Sequence, residues 1–344
     1  MLPPTLDAQL RAAVALSGVA GPGLLEAAVR LGTAEPSVVD EPVAGVPALV
    51  VRPGRSPTRP ALVVLNGVTA RGRHHPALGR VAVALGRAGF VACVPDPPGL
   101  ARGPLGLQTL RATTDVIDAV AARAPGGRVG LVGVSVGGTL ALLAAERPEL
   151  AERITVVACI APHLDFVGAL RLATTGEAPG FLSLVLARSL LAALPPGSER
   201  DALVERLDAV ADDHPDPLAL LSETPADGGV RAVCELLLNR DPARFDELYE
   251  RLPAALQAGL VELSPLAGAA KLHAPVELAL PRQDRYVPAS DNFAFARAAA
   301  NTRVRLTFTA ALDHAVPKLS LRELDGLLRF DGWAVRALRH ASDP

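Results

Sequence analysis

The chain has 344 residues, 50% of them hydrophobic, 20% charged and only 3% aromatic, enough apolar content to build a sizeable core and to exclude global disorder. Lys plus Arg number 34 against 36 Asp plus Glu, a formal charge of −2 with no polybasic run, which argues against nucleic acid as a partner. The 30 glycines and 31 prolines fall between periodic segments without repeating, so collagen-like and solenoid architectures are excluded as well.

From Ala12 to Val29 the sequence is mostly apolar, but Gly18, Gly21, Pro22 and Gly23 interrupt it and Glu26 charges it. Asp7 precedes it and Arg11 is the one nearby cation. This is a poor signal peptide and a poor membrane span. Two short amphipathic helices broken near Pro22 are expected, in a soluble, cytoplasmic chain with no stable membrane insertion. A peripheral membrane contact of this segment is the alternative. Cys93, Cys159 and Cys234 lie far apart in apolar runs and form no CxxC pair, so they read as buried thiols in a reducing compartment.

Ser37–Val51 reads as a strand pair turning near Ala44-Gly45, and 54–60 as a loop. A regular rhythm follows. Ala61–Asn66, Phe90–Pro95, Arg128–Gly133 and Ile154–Ile160 are short continuous apolar runs, the pattern of strands buried on both faces. Helical segments at Pro76–Ala88, Leu107–Ala122 and Gly137–Glu146 separate them. Such spacing predicts right-handed βαβ crossovers. The rhythm stops at 164–263, which reads as helix after helix, broken at Pro179-Gly180, Pro195–Gly197, His214–Pro217 and Asp227–Gly229. It returns with strands Pro275–Leu280 and Val304–Thr309 and helices Ser290–Ala299 and Leu319–Leu338. The expected fold class is α/β: a mainly parallel twisted sheet with helices on both faces. Residues 1–35 form an N-terminal helical segment, 36–163 and 264–344 the core, and 164–263 a helical cap over the carboxyl edge of the strands, where open α/β sheets bind ligands.

The chemistry concentrates at Gly133-x-Ser135-x-Gly137, placed between a buried strand and a helix. A nucleophile on so sharp a turn takes a strained backbone conformation. Side chains two residues before and after it would collide, which calls for glycine at both places. The helix N-terminus favours negative charge developing near Ser135. An ordinary glycine-rich turn with a capping serine is the plainer alternative. A serine nucleophile needs a base. His314 follows the last strand in a loop before the final helix, and Asp284 follows the penultimate strand in Asp284-Arg-Tyr-Val-Pro288. Asp313, beside His314, and Asp165, after the fourth strand, are the other candidate acids.

The order of Ser135, Asp284 and His314, the Gly133–Gly137 elbow and the strand followed by D-x-x-V-P resemble the α/β-hydrolase family over about 47–338. Serine hydrolases grouped loosely with carboxylesterases and dienelactone hydrolases are the nearest in pattern. The resemblance implies Ser135 as nucleophile, Asp284 as acid and His314 as general base, with no metal or organic cofactor. It departs from dienelactone hydrolases proper, which usually use cysteine, and from haloalkane dehalogenases, which carry aspartate at the elbow. The implied oxyanion donors are the backbone N–H of Val136 and that of Gly67 or Val68. Many relatives have His-Gly where this chain has Asn66-Gly67, a change that a backbone donor tolerates. Losing one donor typically costs about 3 kcal/mol of transition-state stabilisation.

Other residues read less specifically. His163, Asn66, Phe166 and Tyr286 are candidate substrate contacts, with Phe181 a further ring able to reach the pocket; a structural role is the plainer reading of His163. His74-His75 reads as a solvated loop without metal-ligand spacing. Arg71 and Arg73 read as surface charge or a site for an acidic group, and Asp96–Gly99 as a turn or a pocket wall. Phe181–Leu194 reads as a cap helix, one face of which is available to an acyl pocket. The expected reaction is hydrolysis of a small-molecule carboxylic ester, with amide or thioester as lesser options. The alternatives are a catalytically silent binding protein, an acyltransferase or a C–C hydrolase on the same triad.

Overall fold

Strand-length apolar runs alternating with amphipathic segments build a layered α/β core in the computed structural model, which describes residues 4–20, 23–54, 59–174, 180–211, 214, 216–223, 228–318 and 324–342. The chain opens with α1 (Pro4–Ala20) and α2 (Leu24–Gly32), then the hairpin of β1 (Ser37–Val43) and β2 (Val46–Arg52). Its two-residue turn, Ala44-Gly45, has φ of 49° and 77°, the doubly positive pattern that matches the twist of the strands it joins. The alternating part runs β3 (Ala61–Leu65), α3 (Pro76–Arg87), β4 (Val91–Pro95), α4 (Leu107–Arg123), β5 (Val129–Val134), α5 (Val136–Ala145) and β6 (Ile154–Ile160).

A helical block follows: α6 (Phe166–Thr174), α7 (Gly180–Ala193), α8 (Ser198–Asp208), α9 (Gly228–Leu238), α10 (Phe245–Glu250) and α11 (Ala254–Glu262). The chain then re-enters the core through α12 (Pro265–Gly268), β7 (Val276–Pro281), α13 (Ala289–Ala298) and β8 (Val304–Thr309). It ends with the two-residue strands β9 (Leu312–Asp313) and β10 (Val316–Pro317) and with α14 (Leu324–Ser342). The interruptions read at Pro22, Pro179, Pro215 and Asp227, the middle of the 54–60 loop and the start of the last helix at Leu319 lie outside the described residues. The last helix continues past Leu338 because its apolar face does: Ala341 is still buried.

The eight main strands form one sheet in the order β1-β2-β4-β3-β5-β6-β7-β8. The pairs from β4 to β8 are parallel, whereas β1 with β2 and β2 with β4 are antiparallel. The mainly parallel sheet expected from the rhythm is therefore present, extended by an antiparallel hairpin. Both faces of the central strands are buried, and alternate residues of one strand serve opposite layers. Val63 and Leu65 pack with Leu110, Ile117 and Leu142, on the side of α4 and α5. Leu62 and Val64 pack with Ala12, Leu78 and Trp333, on the side of α1, α3 and α14.

The block 164–263 has a hydrophobic core of its own, with Leu190, Leu191, Leu237 and Phe245 near its centre. The fully buried Arg188 of α7 ties it together, donating to the Leu207 carbonyl in the last turn of α8, to the Val210 carbonyl just after it and to the Arg102 carbonyl before α4. Cys93, Cys159 and Cys234 are free and buried. Burial pushes the Cys93 and Cys234 thiols up to about 12 and about 11, which keeps them protonated and unreactive. Among the described residues no helix is long and apolar enough to cross a membrane.

Candidate active site

At the carboxyl end of β5 the chain turns sharply into α5, and Ser135 occupies the turn with φ 52° and ψ −124°. That positive φ is costly for a residue with a side chain. It is held from both sides. The Ser135 N–H donates to the Ile160 carbonyl of β6 at 2.8 Å, and the Ser135 carbonyl accepts from Gly138 N at 2.8 Å. The flanking glycines are required by contact. A Cβ on Gly133 would lie 2.4 Å from Gly138 Cα, and one on Gly137 would lie 2.3 Å from the carbonyl oxygens of Leu65 and Asn66. Thr139, one turn into α5, donates its hydroxyl to the His163 carbonyl at 2.7 Å, fixing the elbow to the loop after β6.

His314 lies in the tight turn between β9 and β10, with φ 46°, so a two-residue hairpin presents the ring at the rim of the sheet. Its Nε2 is 3.0 Å from Ser135 Oγ. Its Nδ1 is 2.9 Å and 3.1 Å from the two carboxylate oxygens of Asp284. A carboxylate only accepts, so Nδ1 carries the proton and Nε2 offers its lone pair to the serine hydroxyl. Asp284 is in turn oriented by the backbone, its Oδ1 accepting from Tyr286 N at 2.8 Å and Val287 N at 3.3 Å. The side chains of Asp284 and His314 are only 6% and 15% exposed. Ser135, His314 and Asp284 thus form one continuous hydrogen-bonded chain across three strand ends. The alternative acids lie elsewhere. Asp313 is exposed and paired with Lys318, and Asp165 caps α6 by accepting from Val167 N.

A cavity of about 260 Å³ opens in front of Ser135. Asn66, Gly67 and Val68 line one side, His163, Tyr286 and His314 another, and Phe181, Leu182 and Val185 of α7 the side of the helical block. The Val136 N–H, at the first turn of α5, has no helical acceptor, and neither it nor the Val68 N–H has a backbone partner among the described residues. The Gly67 N–H, by contrast, is occupied by Asn66 Oδ1 at 3.0 Å, while Asn66 Nδ2 donates to the Gly72 carbonyl at 3.3 Å. Tyr286 packs against His314 with ring centroids 4.3 Å apart.

Several expectations need revision. Phe166 does not line the pocket: its ring is buried in the core of the helical block, stacked behind His163 at 6.2 Å. Arg73 is neither free surface charge nor an open anion site. It bridges Asp40 and Asp96, and its own backbone N–H donates to Asp96. Asp96 thereby clamps the turn at Gly72, where φ is 47° and any Cβ would strike the carboxylate. His75 was not legible as a site residue: it reads as part of a solvated loop, yet it is half-buried and lines the cavity. The helix that begins at Pro76 swings its ring inward, a placement that no local pattern announces. Among the described residues no three His, Cys, Asp or Glu side chains are grouped to hold a metal ion.

His163 is fully buried between Phe166 and His314, the latter 6.0 Å away ring to ring. Burial pushes its pKa down to about 4, helped by the neighbouring His314 and partly opposed by Asp284. The unfolded chain takes up this proton near the ordinary value of about 6.5, so folding stability falls as the pH drops from about 6.5 to about 4. The full loss corresponds to about 3 kcal/mol. Urea denaturation at pH 7 and pH 4.5 should show a smaller decline for His163→Gln than for the wild type.

A nucleophile elbow on a central parallel strand, with histidine and acid delivered by the last two strand ends, defines an α/β-hydrolase fold. The sequence profile of the alpha/beta hydrolase family matches residues 62–323, and the chain belongs to that family. No curated protein matches the sequence. Among solved structures, the thermostable carboxylesterase EstE1, cloned from a metagenomic library, superposes with a TM-score of 0.50 at 16% identity, covering 100% of this chain and 99% of that one. DcsB, solved with its substrate analogue, gives 0.52 at 15% identity over 88% of this chain and 99% of that one. Dipeptidyl peptidase 4 from Porphyromonas gingivalis gives 0.53 at 14% identity over 91% of this chain, which spans only 37% of the peptidase. At such identities the likeness is one of fold.

Proposed function

We propose that the protein is a serine hydrolase that cleaves carboxylic esters through an acyl-enzyme on Ser135. The observation that carries this reading is the unbroken chain from Ser135 Oγ through the His314 ring to Asp284, at 3.0 Å and 2.9 Å, facing a cavity. His314 Nε2 takes the hydroxyl proton as Oγ attacks the ester carbonyl, and the same nitrogen then protonates the departing alkoxide. Asp284 holds the tautomer and stabilises the imidazolium. Water then attacks the acyl carbonyl as His314 Nε2 takes its proton, and the imidazolium returns that proton to Ser135 Oγ as the C–Oγ bond breaks and the acid is released.

The tetrahedral oxyanion is held by the N–H groups of Val136 and Val68. Asn66 supports this choice over Gly67, because its side chain already occupies the Gly67 N–H. The α5 N-terminus favours the same developing charge. The helical block 164–263 serves as a cap, closing the cavity with the Phe181, Leu182 and Val185 side of α7 and shielding the charges that develop at the ester carbonyl from bulk solvent. Apolar walls at Phe181, Leu182 and Val185 favour esters over charged substrates.

Hydrolysis of p-nitrophenyl acetate and butyrate tests this directly. The expected result is saturable release of p-nitrophenol with an initial burst equal to the enzyme concentration when deacylation is slower. Absence of turnover by folded protein with these and with thioester and amide analogues would overturn it.

A further inference from the structure

A second cavity, of about 430 Å³, lies on the other side of the sheet rim from the helical block, beneath α1. Its roof is Ala15, Leu16 and Val19 of α1, and its walls come from α3 and α14. Its floor is the sheet itself. Val132 of β5 and Ile160 of β6 are only half-buried there, although the other residues of these central strands are almost all buried. Protein interiors are ordinarily packed without such gaps, and cavities lined by hydrocarbon accept apolar ligands. Small side chains, Ala15 on α1 and Ala334 and Ala337 on α14, create the space.

The two cavities adjoin. Asn66, His75, Val134, Ala315 and Val316 border both, and the last two directly follow His314 in the chain. The polar side chains of the second cavity are Asn66, His75 and Arg80 among the described residues. Asn66 and His75 stand at the shared border of the two cavities. The remainder is hydrocarbon. We infer that this compartment beneath α1 receives an unbranched aliphatic chain of the ester whose carbonyl sits at Ser135, and so sets chain-length preference. The inference rests on the ester-hydrolase reading of the Ser135 site. Each buried methylene should raise kcat/KM about fourfold until the compartment is full.

Filling the compartment tests it. Val132→Phe fills it from the floor and Val81→Phe from the α3 wall. The measurement is kcat/KM for p-nitrophenyl decanoate relative to the acetate, and for decyl acetate relative to ethyl acetate. A fall of tenfold or more in either ratio is the expected result: the first places the acyl chain in the compartment, the second the alcohol chain. Calorimetric titration of Ser135→Ala with sodium decanoate asks for the same site without catalysis, with Ser135→Ala/Val132→Phe as its filled counterpart. Decanoate binding that the filled protein loses supports the compartment even if no ester is turned over, an outcome that would sink only the hydrolase reading. Should neither filled variant fold, the titration of Ser135→Ala decides alone. Unchanged ratios in a folded variant, or no decanoate binding to Ser135→Ala, would overturn the inference.

Discussion

Replacing Ser135 with alanine is expected to lower kcat for ester hydrolysis by about 10⁶-fold, and His314→Ala by a similar factor. The reason is that the two act as one unit. The hydroxyl at 3.0 Å from Nε2 is a nucleophile only when the imidazole takes its proton, and the imidazole has nothing else to activate. The double variant Ser135→Ala/His314→Ala should therefore be no worse than either single one. Asp284→Asn should cost about 10⁴-fold, since an amide at 2.9 Å from Nδ1 allows the wrong tautomer without displacing the ring. All three should leave folding nearly intact, because each removes or replaces only a few atoms at the rim of the cavity. Single-turnover kinetics with p-nitrophenyl acetate, with circular dichroism as the folding control, measures the set. Additive losses in the double variant would show that serine and histidine do not work together.

Gly137→Ala should destabilise the protein by about 3 kcal/mol or more and abolish activity with it. The new methyl would stand 2.3 Å from two backbone oxygens, those of Leu65 and Asn66, and neither is the flexible end of a side chain. Relief requires the end of β3 to move. That same segment leads into Val68, so the proposed oxyanion donor there would move with it. Gly79→Ala provides the contrast. Gly79 lies inside α3 with nothing within 4 Å of a built Cβ, and alanine there should stabilise by about 0.5–1 kcal/mol through helix propensity. Urea denaturation of both variants gives the two signs. A Gly137→Ala protein of wild-type stability would mean that the elbow is looser than its contacts indicate.

The parts of the fold legible in the sequence are those whose signal is local. Runs such as Ala61–Leu65 and Ile154–Ile160 are almost wholly apolar because both faces of each strand are covered, and the central strands of the sheet were readable in this way. The elbow was legible because a left-handed serine between two crowded positions demands Gly133 and Gly137. His314 and Asp284 were legible from their places just after strands, where any side chain reaches the rim of the sheet.

What the sequence withheld depends on packing between distant segments. Nothing near Phe166 shows that its ring turns into the helical block instead of the cavity. Nothing near His75 shows that α3 carries it inward. The role of Asp96 needs Arg73, 23 residues earlier, before it makes sense as a clamp. The gap beneath α1 is likewise a property of three helices together, since Ala15, Ala334 and Ala337 each look like ordinary small core residues on their own helix.

The most direct test of a serine nucleophile at position 135 is labelling with a fluorophosphonate probe followed by intact-mass and peptide mass analysis. The expected result is one adduct per chain, located on Ser135 and absent from folded Ser135→Ala. No adduct on the folded wild-type protein, or equal labelling of Ser135→Ala, would contradict it.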